Sequence, residues 1–209
     1  MDFSGLIQQC APAVAPAIVT AIIRTESGFD PLALHVNGAV RLRSPPQTAA
    51  QAAHWSSWLI EHGYSVDMGL MQINSRNLAS LNLTPADAFD PCQNIRAGAA
   101  ILAAQYGRAA RASGPGAAAA LRAISAYNTG TFKSGFRNGY VGRVVMNLPE
   151  GRRFTPLDLT CLLTQCGAGA AGASGPSPYT ADSAVAGFAG QPALTSPHSG
   201  RHPPREPGP

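Results

Sequence analysis

The residue best placed to do chemistry is Glu26, which ends an apolar helical stretch at residues 17–29. Ile18 and Ile22 recur at a spacing of four, and Glu26 is the next position on that line. Val19 and Ile23 widen the apolar stripe, and Gly28 supplies a stop just past the last turn. A carboxylate on the core face of a helix must be paired or held protonated, because burial disfavours its charge. Such a group is poised to give a proton. The other reading is a solvated residue in a frayed final turn, and periodicity alone leaves both open.

Two further polar features interrupt apolar surroundings. Gln72 lies inside Gly69-Leu70-Met71-Gln72-Ile73-Asn74, and a buried amide there needs partners. Tyr127 and Asn128 close an alanine-rich helix ahead of Thr129-Gly130. Met71 and Leu70 also read as plain core, Tyr127 as a core tyrosine, and Asn128 as a helix C-terminal cap.

Several elements must hold these residues together. Proline is tolerated in a first turn, so Pro12 or Pro16 starts the helix bearing Glu26, after a short opening turn over residues 1–9. Asp30-Pro31 and Asn37-Gly38 are turn signals. Ser44, Pro45 and Gln47 predict the capped start of a second helix, with Trp55, Trp58 and Leu59 on its apolar side and Gly63 at its end. Residues 64–68 alternate and read as a strand, giving a small β-hairpin region near 64–74. Thr84-Pro85 starts a short helix and Asp90-Pro91 a longer one, with Ile95, Ala99, Leu102 and Tyr106 on one face. Ser113-Gly114-Pro115-Gly116 separates it from a helix at 117–127, and Tyr140 to Leu148 forms the last. The predicted fold is mainly α, with a domain over 1–150 and a C-terminal extension over 151–209. From about residue 167 the extension is rich in Gly, Ala and Pro, and it is expected to be disordered.

Composition narrows the function classes. Of 209 residues, 45% are hydrophobic, ample for a core, and only 12% are charged. The net charge of +4 mildly favours anionic partners, but no basic run is dense enough for nucleic acid. The longest apolar run holds Pro12 and Pro16 and is too short to span a membrane. No Lys or Arg precedes Arg24, so no cleavable export signal is visible; an exported protein would need a separate leader or another route. Cys10, Cys92, Cys161 and Cys166 lack C-x-x-C spacing, which disfavours zinc and leaves two disulfides or four thiols open.

Three ordered blocks carry a resemblance. Glu26-Ser27-Gly28-Phe29, then Gly69-Leu70-Met71-Gln72-Ile73-Asn74, then Ala126-Tyr127-Asn128-Thr129-Gly130 together resemble lysozyme-like lytic transglycosylases of the VirB1 type, attached to type IV secretion and conjugation systems. The likeness runs from about residue 10 to 145. It includes Cys-Ala-Pro before the first long helix, Asp90-Pro91-Cys92, Asn94-Ile95, Gly98 and Tyr140-Val141. The resemblance implies a lysozyme-like α+β fold and cleavage of the β-1,4 bond between N-acetylmuramic acid and N-acetylglucosamine, giving a 1,6-anhydro product. Glu26 would be the acid. Ser27, Met71, Gln72, Ile73, Tyr127 and Asn128 would bind substrate, with the Tyr127 phenol positioning the glutamate or the sugar. It also implies a Cys10–Cys92 disulfide, no metal or other cofactor, a periplasmic location and peptidoglycan glycan strands as substrate. Type IV secretion components are a further expected partner, recruited through the tail.

The run from Asp67 to Arg76 is also similar to the strand region of animal c-type lysozymes, where an aspartate two residues before the glycine is the second carboxylate. Lysozyme supplies the known pattern of a glutamate acid beside an ionised aspartate. Asp67 is therefore expected to line the cleft and assist. Two rival readings remain: a hydrolase using Glu26 and Asp67, and a non-catalytic wall-binding assembly module.

Overall fold

A computed structural model describes residues 3–38 and 40–148. The C-terminal extension, with its expected disorder and with Cys161 and Cys166, lies outside the described residues. Eight α-helices and a small sheet make up the described part: α1 (Phe3–Cys10), α2 (Pro16–Glu26), β1 (Leu34–Val36), α3 (Ala49–Glu61), β2 (Val66–Met68), β3 (Ile73–Asn74), α4 (Leu78–Leu81), α5 (Pro91–Ser113), α6 (Ala117–Thr129), α7 (Ser134–Arg137) and α8 (Tyr140–Met146). Short 3-10 turns cover Ser75–Asn77 and Asp87–Phe89. The fold is mainly helical with a three-stranded antiparallel sheet, ordered β1-β2-β3.

Local chemistry accounts for most helix ends. Pro16 occupies the first turn of α2, where its missing N–H costs nothing. Asp90 is extended and accepts a hydrogen bond from the Gln93 N–H, capping α5 directly before Pro91. Gly130 is left-handed (φ 72°) and its N–H bonds back to the Ala126 carbonyl, ending α6. The second helix starts later than Ser44 and Pro45 predict. Thr48 is its cap, accepting from the Gln51 N–H, and α3 begins at Ala49. The physical reason is Pro46, whose ring disfavours helical geometry at Pro45.

Tertiary burial overrode the weaker local signals. The opening segment is a helix rather than a turn, because Ile7 and Cys10 are buried against the body of the domain, with α1 resting on α2 and α5. Strand β1 pairs with β2, setting His35 opposite Asp67 and Val36 opposite Val66. On the other side of β2, Asp67 faces Asn74. The core is continuous from α2 (Ile18, Ile22, Ile23) through Leu70 and Met71 to α5 and α6 (Ile95, Ile101, Ile124, Tyr127).

Cys10 and Cys92 form a disulfide with their Cα atoms 5.3 Å apart, tying the end of α1 to the start of α5. The bond spans a sequence separation of 82. Closing a loop of that size restricts the unfolded chain and stabilises the fold by about 4 kcal/mol. Urea titrations with and without dithiothreitol are expected to differ by that order, with the oxidised protein the more stable. Coincident curves would show that the crosslink adds no stability.

Candidate active site

The apolar face of α2 carries Glu26 to the edge of the core. Ile18 and Ile22 are fully buried, and Glu26, one turn further, is half-buried. The helix ends at this residue, so its side chain sits between the packed interior and solvent. The hydroxyl of Tyr140, the first residue of α8, donates to Glu26 Oε1 at 2.5 Å. Tyr140 is itself buried and aimed by the turn before it: its N–H donates to Asn138 Oδ1, and Gly139 supplies the left-handed φ of 76°. A second bond clamps α8 on α2, from Asn147 Nδ2 to Thr25 Oγ1 at 2.9 Å.

The loop at 69–72 is locked against this helix end. Ser27 Oγ donates to the Leu70 carbonyl at 2.8 Å, directly beside Glu26 in sequence. Gly69 (φ 71°) and Gln72 (φ 49°) both adopt left-handed geometry, which is uncommon for a residue such as glutamine. Gln72 Nε2 offsets that cost by donating to the Gly69 carbonyl at 2.9 Å and the Ala33 carbonyl at 3.1 Å. Both backbone polar groups of Met71 are held. Its N–H donates to Asn94 Oδ1 at 2.7 Å, and its carbonyl accepts the Tyr127 hydroxyl at 2.7 Å. Its side chain packs on Gly98, where an added Cβ would lie 2.4 Å from the Met71 sulfur.

The expected site residues differ in exposure. Met71, Ile73 and Tyr127 are fully buried. Tyr127 does not give its hydroxyl proton to Glu26; that proton goes to Met71, and Tyr140 supplies the phenol on the glutamate. Asp67 is 0% exposed and does not line an open cleft. Its Oδ1 accepts from Asn74 Nδ2 at 2.6 Å and its Oδ2 from Asn37 Nδ2 at 2.9 Å, so the sheet encloses the carboxylate. Gln72 is only 4% exposed and serves the loop through its amide nitrogen. Asn128 is 6% exposed, and its Oδ1 accepts from Asn138 Nδ2, joining α6 to the turn that aims Tyr140. Ser27 and Asn128 remain beside the glutamate's helix end and the tyrosine's turn.

Tyr140 is the partner of Glu26 that sequence reasoning missed. It stood only within a block of likeness, 114 residues from its partner, and no local pattern could link the two. No cluster of three or more His, Cys, Asp or Glu among the described residues is arranged to hold a metal ion.

Both tyrosine hydroxyls ionise with difficulty. Burial first, and the nearby Glu26 charge second, hold Tyr127 and Tyr140 well above the ordinary value of 10.0. Asp67 adds to the effect at Tyr127. The folded state thus keeps protons that the unfolded chain releases near pH 10, so stability falls as pH rises beyond that point. The melting temperature is expected to drop across about pH 10 to 12. Tyr140→Phe should flatten the drop, and an unchanged slope would remove Tyr140 from the explanation.

The matched protein family fits this geometry. Residues 6–145 match the transglycosylase SLT domain. The chain is 40% identical over 152 residues to Protein virB1 of Agrobacterium fabrum, covering 68% of this chain and 58% of that relative. It is 38% identical over 151 residues to the type IV secretion system protein virB1 of Brucella abortus, covering 69% of this chain and 63% of the relative. The matched region thus spans about three-fifths of the length of these curated relatives. No solved structure matches the chain. Glu26, Tyr140 and the locked 69–72 loop all fall inside the matched residues, and the chain belongs to the transglycosylase SLT domain family.

Proposed function

We propose that the domain is a peptidoglycan lytic transglycosylase with Glu26 as its one proton-transferring group. The observation that carries this reading is the half-buried Glu26 carboxyl held by the Tyr140 hydroxyl at the solvent edge of the core. In the first step Glu26 gives a proton to the glycosidic oxygen between N-acetylmuramic acid and N-acetylglucosamine, and the C1–O4 bond breaks. In the second the same carboxylate takes the proton of the muramic 6-hydroxyl, whose oxygen closes on C1. The proton count balances, and no water is consumed. Tyr140 keeps the carboxyl in one orientation through both steps by donating its hydroxyl to Oε1. Ser27, Gln72 and Asn128 are the proposed substrate contacts, while Met71, Ile73 and Tyr127 support the wall of the site from behind.

The enclosure of Asp67 by Asn37 and Asn74 favours the single-carboxylate route over a hydrolytic one. The name of the Brucella relative favours a place beside a type IV secretion apparatus, where such an enzyme would open the wall locally in the periplasm. A division into a catalytic domain over 1–150 and an extension over 151–209 that engages that apparatus completes the proposal. Mass spectrometry of purified sacculi digested by the full chain tests the reaction. Anhydromuramic ends, lighter than reducing ends by one water, are expected. Purely reducing ends would replace transglycosylation with hydrolysis.

A further inference from the structure

A second feature lies on the far half of α6 from Tyr127. A pocket of ≈ 590 Å³ is lined by Ala118, Leu121, Arg122, Phe132, Lys133 and Phe136. None of these residues belongs to the network around Glu26. Leu121 stands six residues before Tyr127 on α6, about 9 Å along the helix axis. The pocket is built deliberately by the chain reversal after Gly130. Ser125 Oγ donates to the Thr131 carbonyl and accepts the Gly135 N–H, folding the 131–136 segment back along α6. Gly135 has to be glycine there, since a Cβ would fall 2.6 Å from the Ser125 Cα. That close approach places two phenylalanine rings beside the helix, and Phe136 remains 47% exposed.

The charge around the pocket is one-sided. Residues 91–149 contain six arginines and one lysine and no Asp or Glu. Two of those cations, Arg122 and Lys133, line the pocket, and Lys133 is the only lysine in the chain. A third, Arg108, stands 5.4 Å above the Phe132 ring, held by its bond to Gln105 Oε1. An exposed aromatic floor rimmed by cations selects an apolar group flanked by negative charge.

We propose that this pocket docks an acidic segment of a partner protein, with a bulky apolar side chain between Phe132 and Phe136 and flanking carboxylates on Arg122 and Lys133. Wall stem peptides supply carboxylates, but their alanine methyls are too small to cover two phenyl rings. The chain's own Phe154-Thr155-Pro156-Leu157 run has the apolar groups and one carboxylate after it, Asp158, yet the two cations directly before it, Arg152 and Arg153, outweigh that charge against a cationic rim. An acidic protein segment satisfies both halves of the pocket. This docking stands whether or not Glu26 cuts the wall.

Fluorescence anisotropy on the full chain tests the proposal. The probes are short blocked peptides in which a central Trp, Phe or Leu is flanked by Asp and Glu. Saturable binding is expected, weakened about tenfold or more by Arg122→Glu with Lys133→Glu, by Phe136→Ala, and by an alanine at the centre of the peptide. Phe136 and Lys133 are exposed, so their variants should melt with the wild type and report docking alone. No saturable binding up to about 1 mM peptide, or binding indifferent to all three changes, overturns the proposal. Tighter pocket-dependent binding of a wall stem peptide, or of a peptide copying residues 152–160, overturns it in favour of that occupant.

Discussion

Glu26→Gln is expected to reduce release of anhydro-muropeptides from sacculi by about a thousandfold, the scale on which a positioned proton donor acts. The substitution removes the transferable proton and little else. Glutamine keeps an oxygen where Glu26 Oε1 accepts the Tyr140 hydroxyl, so the clamp between α2 and α8 survives. Thermal unfolding should therefore stay close to the wild type, and binding to sacculi should persist. Glu26→Ala is a poorer probe. It would leave the buried Tyr140 hydroxyl without this acceptor, a loss of about 1–3 kcal/mol that confounds chemistry with folding. Tyr140→Phe should fall between the two, since the acid remains but loses the bond that orients it. A Glu26→Gln protein that still lyses sacculi at the wild-type rate would remove Glu26 from the mechanism. Persistent binding with no lysis in the wild type as well would instead favour a wall-binding module.

The helix carrying Glu26 was legible because its evidence is local. Ile18, Ile22 and Glu26 share one line at helical spacing, and Pro16 marks the start. Asp90-Pro91 and Gly130 announced α5 and α6 for the same reason, each acting within a few residues of the end it sets. Strand β1 was not legible, because three residues cannot display a period and its existence depends on pairing with β2. The 69–72 loop was legible as important, and packing gives it a structural task that type alone does not show. An amide amid apolar neighbours signals a polar requirement, and Gln72 meets it by donating through its amide nitrogen to two backbone carbonyls. Met71 and Ile73 were ambiguous on type alone, since a hydrophobe lines clefts and cores alike; burial decided for the core. The Tyr140–Glu26 pair lay beyond reach, because it is created by packing α8 on α2.

Asn94→Ala is expected to lower stability by about 3–5 kcal/mol, a large part of the 5–15 kcal/mol typical of a folded domain. Asn94 is fully buried on α5 and satisfies three backbone groups at once. Its Oδ1 accepts the Met71 N–H at 2.7 Å, and its Nδ2 donates to the Met68 carbonyl at 2.8 Å and the Ala88 carbonyl at 2.7 Å. One amide thus joins the end of β2, the 69–72 loop and the turn before α5. Truncation orphans the buried Met71 N–H, which has no second site of attachment, and weakens two carbonyls that retain another lone pair. The space is also closed to easy repair: Gly69 approaches so nearly that an added Cβ would lie 2.4 Å from Asn94 Nδ2. Asn94→Asp would fail differently, since its carboxylate keeps an acceptor for Met71 but faces two carbonyl oxygens with like charge. Urea denaturation followed by circular dichroism measures both variants. Because Met71 also receives the Tyr127 hydroxyl, a displaced loop should depress lysis even where the variant remains folded. A loss below about 1 kcal/mol for Asn94→Ala would mean that the loop beside Glu26 is held by its own turn, through Gln72 and Ser27, and not by the long helix beneath it.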